Sequence, residues 1–277
     1  MRSICLPLMA ITALTLPVLG LAKEAHCEFS APRNLTLDLA GVRSVVFETN
    51  EHDLRLTGSS DSAGQLTGRA CAAKETDLAN LTISQSKRGD VLTVTLRRQG
   101  TRNWSFGKSY AYLALTGTLP ASSQVRIDDG SGDVEVSNVA SLGLNVGSGD
   151  VKVRGVRGAV SGSLGSGDLD LQDIGSVALD SIGSGDIDVA DARGDVSVDS
   201  IGSGDLSVSK IQGSLKVGNV GSGDVNASDI AGSVSVGAIG SGDVDARRIG
   251  GDVTVRSKGS GDVTTEAVSG KVSKPRD

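Results

Sequence analysis

From residue 130 onward, apolar residues alternate with polar ones in short runs that glycine and serine interrupt at regular intervals. Residues 204–211 and 213–220 both read glycine, polar, apolar, polar, apolar, polar, polar, apolar. Alternation with a period of two is the geometry of a β-strand, whose successive side chains point to opposite faces. Each segment therefore predicts one short strand followed by a bend.

The tetrapeptide Gly-Ser-Gly-Asp recurs through the same part of the chain. Its eight copies are spaced 17, 18, 18, 19, 19, 19 and 19 residues apart, and a fixed period near 20 is typical of a solenoid. The copies end at Asp133, Asp150, Asp168, Asp186, Asp205, Asp224, Asp243 and Asp262. The predicted fold class is all-β: a parallel β-helix, or β-solenoid, of about eight coils of 18–19 residues, preceded by a smaller β-rich N-terminal region.

Each coil is expected to place six apolar residues inward. For the coil that starts at Gly202 these are Leu206, Val208, Ile211, Leu215, Val217 and Val220. A flexible Gly/Ser linker does not place aliphatic residues at six fixed positions. A transmembrane barrel needs strands of about nine to eleven residues, about twice the predicted length.

The repeat pattern decays at its end. Lys258, Thr265 and Lys274 stand where an inward apolar residue is expected. Terminal coils have one neighbour and need a polar outer surface. Residues 263–277 are therefore predicted to form a cap.

The preceding part of the chain has a different pattern, with longer runs of alternation separated by turn-forming residues. Strands are predicted at residues 35–39, 44–48, 53–58, 81–84, 91–96 and 110–115, with one short helix within 72–80. The predicted units are a β-rich N-terminal region at 23–120 and a repeat solenoid at 121–277. The pattern leaves open whether the first unit is a separate domain or the irregular first coils of the same solenoid.

Residues 1–22 have the pattern of a secretory signal peptide: Arg2, an apolar stretch, then Gly20 and Ala22 at the cleavage-site spacing. An uncleaved membrane anchor is the alternative. After cleavage, no transmembrane anchor is expected, and the location is predicted to be periplasmic or secreted. An oxidising compartment favours a disulfide between Cys27 and Cys71, with two free thiols or a metal pair as alternatives.

The net charge of -6 and the absence of a basic block exclude nucleic acid as a predicted partner. Neither His26 nor His52 lies in a metal-ligand spacing such as HExxH, so both are interpreted as surface residues. No cofactor is predicted.

Several segments resemble a known family. LDLAGVRSVVFETNEHDLRLTG, RGDVLTVTL and LTGTLPASSQVRIDDGSGDVEVSNV are similar to the bacterial family of exported β-strand-repeat proteins of unknown function, itself similar to a proposed auto-transporter adhesin head domain. The resemblance implies a β-helical fold and a cell-envelope location. It implies no established activity.

The repeated aspartates would stack in a column at one corner of the solenoid. The structural interpretation is that each carboxylate accepts backbone N–H hydrogen bonds in its own bend, with the flanking glycines supplying positive φ angles. The alternative is calcium binding, which requires six to eight oxygen ligands per ion. The candidate ligands are Asp133, Asp150, Asp168, Asp186, Asp205, Asp224, Asp243 and Asp262.

Two further alternatives concern function. Asp170, Asp188 and Asp245 on an outward face could form a carboxylate pair like those of polysaccharide-cleaving β-helix enzymes. A binding module would use the long polar faces, or the aromatic residues Trp104, Phe106, Tyr110 and Tyr112. The sequence favours a non-enzymatic envelope scaffold or adhesin-like module whose partner is an envelope polysaccharide or protein; a calcium-binding secreted repeat protein is the second hypothesis and a carbohydrate-active enzyme the third.

Overall fold

The computed structural model of the chain describes residues 27–61, 64–100 and 110–275. These residues form two twelve-stranded sheets that enclose one aliphatic core, with a short 3₁₀ helix at Glu75–Asn80. The predicted fold class, an all-β parallel solenoid, is confirmed.

The strands of the N-terminal region and the first repeats vary in length from four to ten residues and are less regular than those that follow. They are β1 (Phe29–Thr36), β2 (Ser44–Asn50), β3 (Asp53–Ser59), β4 (Gln65–Ala72), β5 (Leu81–Arg88), β6 (Val91–Arg98), β7 (Ala111–Pro120), β8 (Gln124–Asp129), β9 (Val134–Ser137), β10 (Ser141–Ser148), β11 (Val151–Arg154), β12 (Ala159–Ser166), β13 (Leu169–Ile174) and β14 (Ser176–Ser184).

The later repeats contribute strands of six residues, until the last one. They are β15 (Ile187–Ala192), β16 (Val196–Ile201), β17 (Leu206–Ile211), β18 (Leu215–Val220), β19 (Val225–Ile230), β20 (Val234–Ile239), β21 (Val244–Ile249), β22 (Val253–Lys258), β23 (Val263–Val268) and β24 (Val272–Ser273).

Each repeat coil supplies one strand to each sheet. Odd-numbered strands from β9 lie in the first sheet and even-numbered strands from β8 lie in the second. Neighbouring coils pair in parallel and in register, for example Leu206 with Val225 and Leu215 with Val234. The six predicted inward residues of this coil, Leu206, Val208, Ile211, Leu215, Val217 and Val220, are at most 3% exposed. Stacked aliphatic columns therefore form the core, as the pattern predicts.

Glycine is required at the Gly-Ser-Gly-Asp corner mainly because coils approach one another closely there. A Cβ on Gly204 would overlap the carbonyl oxygen of Gly185 in the preceding coil. The predicted positive φ at the second glycine holds for Gly149, Gly167 and Gly185, with φ of 125°, 104° and 135°, but not for Gly204 and the later repeats. The prediction is therefore correct for these three coils and wrong for Gly132 in the first repeat and for the late coils.

Left-handed backbone also lies at the end of first-sheet strands, in early and late coils alike. One residue there has φ between 54° and 59°, and the next residue turns into the core, as Lys210 precedes Ile211. The members of this column are Asp173, Asp191, Lys210, Asp229, Arg248 and Ala267. In the first-sheet half of each repeat this conformation explains the two consecutive polar residues, because it interrupts the period-two alternation.

The N-terminal strands belong to the same two sheets as the repeats. Strands β2 and β3 form a coil that pairs with β8 and β9 of the first repeat, and β6 and β7 form a coil on its opposite side. After Pro120 the chain crosses from one side of the β2–β3 coil to the other and begins β8. At Gly58 a Cβ would overlap the carbonyl oxygen of Asn138 and lie 3.1 Å from the Cα of Ala121 in the crossing segment. Both sheets continue past the predicted boundary between residues 120 and 121.

Antiparallel strands cover the N-terminal end of the solenoid. Strand β4 pairs antiparallel with β7 and β1, and β5 pairs antiparallel with β6. The prediction of a strand at 35–39 is largely wrong, since β1 ends at Thr36, and β4 was not predicted. Residues 70–72 of β4 are buried consecutively, so this strand lacks the alternation on which the prediction depends.

A disulfide joins Cys27 to Cys71, with 5.5 Å between the Cα atoms. The bond ties the start of the described chain to β4. Nearby, the Tyr110 hydroxyl accepts a hydrogen bond of 2.9 Å from the Glu28 N–H. The predicted signal peptide at residues 1–22 lies outside the described residues.

Candidate binding surfaces

The aspartate column forms a carboxylate ladder along one corner of the rod. Oδ1 of each aspartate accepts a hydrogen bond from the backbone N–H of the aspartate in the next coil, and the distance is 2.8 Å from Asp224 to Asp205. Asp53 of the β2–β3 coil adds a first member, since its Oδ1 accepts the N–H of Asp133 at 3.2 Å. The predicted acceptor role is therefore present, but the bonds join neighbouring coils rather than closing each bend. The ladder consists of Asp53, Asp133, Asp150, Asp168, Asp186, Asp205, Asp224, Asp243 and Asp262.

The opposite corner has the same kind of ladder with fewer charges. Asp195 accepts the N–H of Ser214 at 2.8 Å, and the hydroxyl of Ser214 accepts the N–H of Ser233 at 3.1 Å. The hydroxyl of Ser233 in turn accepts the N–H of Asp252 at 3.1 Å. Serine thus replaces aspartate without a break in the ladder, so a negative charge is not needed for the bond.

The acidic columns, all within the described residues, do not gather their side chains into a metal-ligand cluster. Across residues 27–61, 64–100 and 110–275, no group of three or more His, Cys, Asp or Glu side chains is close enough to hold a metal ion. In the ladder, one oxygen of each bonded carboxylate is already directed at a backbone N–H of the next coil. Calcium binding by the eight repeat aspartates stays a hypothesis.

A single row of outward side chains runs along the first sheet, one from each coil, and is called here the outer lane. Strand pairing places Asp188 beside Ser207, Ser207 beside Asn226 and Asn226 beside Asp245. Parallel strands lie about 4.8 Å apart, so these polar groups are evenly spaced. The full lane is Arg55, Glu135, Lys152, Asp170, Asp188, Ser207, Asn226, Asp245 and Thr264.

Ion pairs neutralise both ends of the outer lane. Arg55 contacts Glu135 at 2.7 Å in the neighbouring coil. Near the C-terminal end, Arg247 contacts Asp245 of its own strand and Glu266 of the next, the latter at 3.8 Å. The central part, with Ser207 and Asn226, is uncharged and flanked by carboxylates. This part of the lane can both donate and accept hydrogen bonds.

The carboxylates proposed for an enzyme lie in this lane. Asp170 and Asp188 are direct neighbours on β13 and β15, and Asp245 is three strands beyond Asp188. Glycosidase carboxylates act from the two sides of a scissile bond. Asp170 and Asp188 instead project side by side from one flat face.

A groove of about 390 Å³ lies on the first sheet where the N-terminal strands meet the repeats. Asp53, Arg55, Thr116, Glu135 and Lys152 contribute polar side chains to its lining. Burial raises the pKa of Asp53, and the N–H of Asp133 opposes that shift by bonding to the ionised form. Asp133 and Asp150 also line the groove, so four carboxylates face two cationic side chains and the lining is net acidic.

The predicted aromatic site is partly described. Tyr110 and Tyr112 are in tilted contact, with 6.2 Å between ring centroids. The Tyr112 hydroxyl is buried, finds no hydrogen-bond partner in the described part of the chain, and has its pKa raised by burial. Trp104 and Phe106 lie outside the described residues.

Two buried ionisable residues were missed by the sequence analysis. His52, interpreted as a surface residue, is 0% exposed, so that prediction is wrong. Asp129 is 7% exposed and pairs in register with Val146, at an inward position that is apolar in the next six coils. The available signal was that an aspartate precedes the first Gly-Ser-Gly-Asp where the next six repeats carry an aliphatic residue.

The fold and its repeated corners define a two-sheet parallel β-solenoid protein. The profile of the Toastrack DUF4097 family matches residues 42–228, which is more than half of the chain, and the chain belongs to this family. No curated protein matches the sequence. The described residues also contain no helix of the length and apolarity required to cross a membrane.

Solved structures with a similar arrangement come from several bacteria. A candidate adhesin from Bacteroides fragilis is 13% identical, with coverage of 89% of this chain and 97% of the other and a TM-score of 0.38. A candidate adhesin from Parabacteroides distasonis is 15% identical, with coverage of 86% and 97% and a TM-score of 0.39. A candidate lipid-binding protein from the same organism is 14% identical, with coverage of 88% and 97% and a TM-score of 0.35. Functional inference therefore rests on the geometry of this chain.

Proposed function

We propose that this chain is a non-enzymatic scaffold or adhesin-like binding module of the cell envelope, in the periplasm or secreted. The observation that carries the proposal is the continuity of the two sheets around one core, with regular polar columns on the outside. A solenoid of this kind holds its outward side chains at fixed spacing, as extended binding surfaces require.

The outer lane is the proposed contact surface. Its neutral centre at Ser207 and Asn226 lies between Asp188 and Asp245, so hydroxyl and amide groups are flanked by hydrogen-bond acceptors. Such a row suits an extended partner rich in hydroxyl or amide groups. An envelope polysaccharide or an envelope protein has this chemistry.

The test is retention of the labelled chain on isolated cell envelope. Wild type is expected to be retained, and the double variant Ser207→Lys/Asn226→Lys is expected to lose retention because two long cationic side chains disrupt the neutral centre. The matched control is Ser197→Lys/Ser235→Lys, which places the same charges on the outward side of the second sheet in nearby coils. Circular dichroism checks that all three proteins keep the same strand content.

Either of two results would contradict the proposal. Absence of retention by wild type would oppose a binding role, and equal loss in both double variants would show that the outer lane is not the contact surface. Asp170→Asn/Asp188→Asn addresses the enzyme hypothesis. Loss of a defined glycan-cleaving activity in that variant would replace the proposal with catalysis.

A further inference from the structure

Four uncharged side chains lie together in the middle of the outer face of the first sheet. Ser207 and Ser209 project from β17, and Asn226 and Ser228 project from β19. Strand pairing places Ser207 beside Asn226 and Ser209 beside Ser228. The four side chains therefore occupy the corners of a rectangle, which is called here the neutral patch.

The hydrogen-bonding groups of the neutral patch are not used within the protein. None of its four side chains bonds to another group in the part of the chain that the structure describes. Ser137, an earlier member of the row that contains Ser209, differs because its hydroxyl donates to Thr57 at 3.2 Å. The backbone groups of β17 and β19 are already paired with the neighbouring coils. A partner can therefore contact only side chains here, and their hydroxyl and amide groups are available to it.

The spacing of the neutral patch favours one shape of partner. Neighbouring parallel strands lie about 4.8 Å apart, and residues two apart on one strand lie about 6.6 Å apart. Side chains on one face of an extended peptide also recur about every 6.6 Å, so a peptide laid along the rod would lose register with the coils. A polysaccharide carries hydroxyl groups on both edges of each sugar unit, and one unit is comparable in length to one coil spacing. It can therefore contact both rows of the patch at every coil.

The charges around the neutral patch favour a neutral polymer over an anionic one. Asp188 and Asp245 flank the patch along the outer lane, and residues 168–243 contain thirteen aspartates but only three basic residues. Arg247 on β21 is paired with Asp245 and Glu266. Charges one coil away lie within the screening length of about 8 Å in physiological salt, so the aspartates repel an anionic group on the patch. The same carboxylates accept hydrogen bonds from the hydroxyl groups of a neutral sugar.

The side chains of the neutral patch are short and lose little freedom when a partner binds. Serine and asparagine have few rotatable bonds, so the entropy cost of ordering them is smaller than for lysine or glutamate. Each sugar unit nevertheless gains only a few hydrogen bonds. Stable binding therefore requires several consecutive units to be in contact at once.

We propose that the neutral patch binds a neutral polysaccharide, whose chain runs along the rod axis with successive sugar units over successive coils. The observation that carries the inference is the rectangle of unpartnered hydroxyl and amide groups between aspartates. The inference rests on the proposed function, since it names the class of partner and adds the row of Ser209 and Ser228 to the outer lane. An anionic polymer and an envelope protein are the alternatives that the experiment separates.

The experiment compares binding of the labelled full chain to two glycan fractions. Polysaccharide is released from isolated cell envelope, freed of protein by protease digestion and separated into neutral and acidic fractions by anion exchange. Wild type is expected to bind the immobilised neutral fraction more tightly than the acidic one. Among fragments of the neutral fraction, longer chains should bind more tightly than shorter ones.

A double variant tests the role of the second row directly. Ser209→Ala/Ser228→Ala removes two hydroxyl groups without adding charge or bulk, and it should weaken binding to the neutral fraction by about tenfold. The matched control is Ser197→Ala/Ser235→Ala, which removes two hydroxyl groups from the outward side of the second sheet and should bind like wild type. Circular dichroism checks that both variants keep the strand content of wild type.

The failure of the inference and the failure of the proposed function give different results. Equal or tighter binding of wild type to the acidic fraction, or equal binding by the two double variants, would overturn the inference. Retention on untreated envelope without binding to either glycan fraction would identify an envelope protein as the partner, so the inference would fail while the proposed function stands. Absence of retention on untreated envelope would contradict the proposed function itself.

Discussion

The second glycine of each Gly-Ser-Gly-Asp corner lies against the backbone of the coil before it. At Gly204 a Cβ would overlap the carbonyl oxygen of Gly185, and backbone atoms cannot move aside as the end of a flexible side chain can. We expect Gly204→Ala to lower the free energy of unfolding by about 2 kcal/mol or more, the range typical of overpacking. Urea unfolding measures the change.

Gly143→Ala is the matched control for this prediction. Gly143 lies within a strand of the second sheet, its φ is outside the left-handed range, and the nearest atom to an added Cβ is 3.8 Å away. We expect this variant to stay within about 0.5 kcal/mol of wild type. Equal effects of the two substitutions would mean that close approach of the coils does not explain the repeated glycine.

The carboxylate ladder leads to a second prediction at the residue scale. Asp205 accepts the N–H of Asp224 and donates its own N–H to Asp186, and the serine ladder at the opposite corner makes the same bonds with hydroxyl groups. Asp205→Ser is therefore expected to stay within about 0.5 kcal/mol of wild type. Asp205→Ala removes the acceptor and should cost about 1 kcal/mol.

Calcium distinguishes the two interpretations of this ladder. If the carboxylates serve as hydrogen-bond acceptors between coils, the midpoint of thermal unfolding should be the same in excess EDTA and in millimolar Ca²⁺. Far-UV circular dichroism follows the transition for wild type and Asp205→Ser. A large rise with Ca²⁺ in wild type that is smaller in Asp205→Ser would instead establish the column as a metal site.

At the scale of single elements, the last coil shows how the rod ends. Lys258 pairs with Ile239 of the preceding coil at an inward position, and its side chain is only 14% exposed. The Lys274 ammonium donates to the carbonyl of Val263 at 2.9 Å, which satisfies one acceptor of the edge strand β23. Charges at an edge oppose pairing with another chain.

We expect Lys258→Met to favour association of the rods through their C-terminal ends. Methionine is unbranched and only one atom shorter than lysine, so it preserves most of the packing while it removes the charge. Sedimentation velocity over a range of concentrations measures the association. Lys216→Met removes the same charge from an exposed outward position on β18 and should stay like wild type. Association of both variants to the same extent would attribute the effect to net charge rather than to the end of the rod.

The elements that the sequence predicts best are those with strict alternation. Strands β17 and β18 place Leu206, Val208, Leu215 and Val217 inward as their period-two pattern requires. Strand β4 is missed because its last three residues are all buried, and no local pattern reveals that a strand will be covered on both faces. The antiparallel caps are long-range pairings, which one sequence without an alignment does not specify.

The candidate sites also differ in how far the sequence predicts them: repeated features are visible in it, and single positions are not. The carboxylate ladder is visible in the sequence because it repeats, although its bonds between coils depend on the stacking geometry. The buried state of His52 is invisible locally, because it arises from packing against Leu113, which is 61 residues away. A single non-repeated position such as Asp129 is informative only when it is compared with Val146 in the aligned coil.

At the scale of the whole molecule, stability is distributed among contacts between nearest-neighbour coils. Leu206 pairs with Val225 and Leu215 with Val234, so residues 206–224 form one complete coil whose removal brings equivalent positions together. In a solenoid the folding free energy is approximately a sum of coil and interface terms. One internal coil should therefore be dispensable for folding.

We expect deletion of residues 206–224 to give a folded protein that unfolds cooperatively and is shorter by about 4.8 Å, one strand spacing. Its urea m-value should fall slightly, since m is proportional to the surface exposed on unfolding. Small-angle X-ray scattering and urea unfolding measure both quantities. Deletion of residues 206–214 is the control, because it joins Asp205 directly to a strand of the second sheet and puts every later strand in the wrong sheet. If both deletions fold equally well, register between coils does not determine the fold; if neither folds, the repeats depend on one another beyond their nearest neighbours.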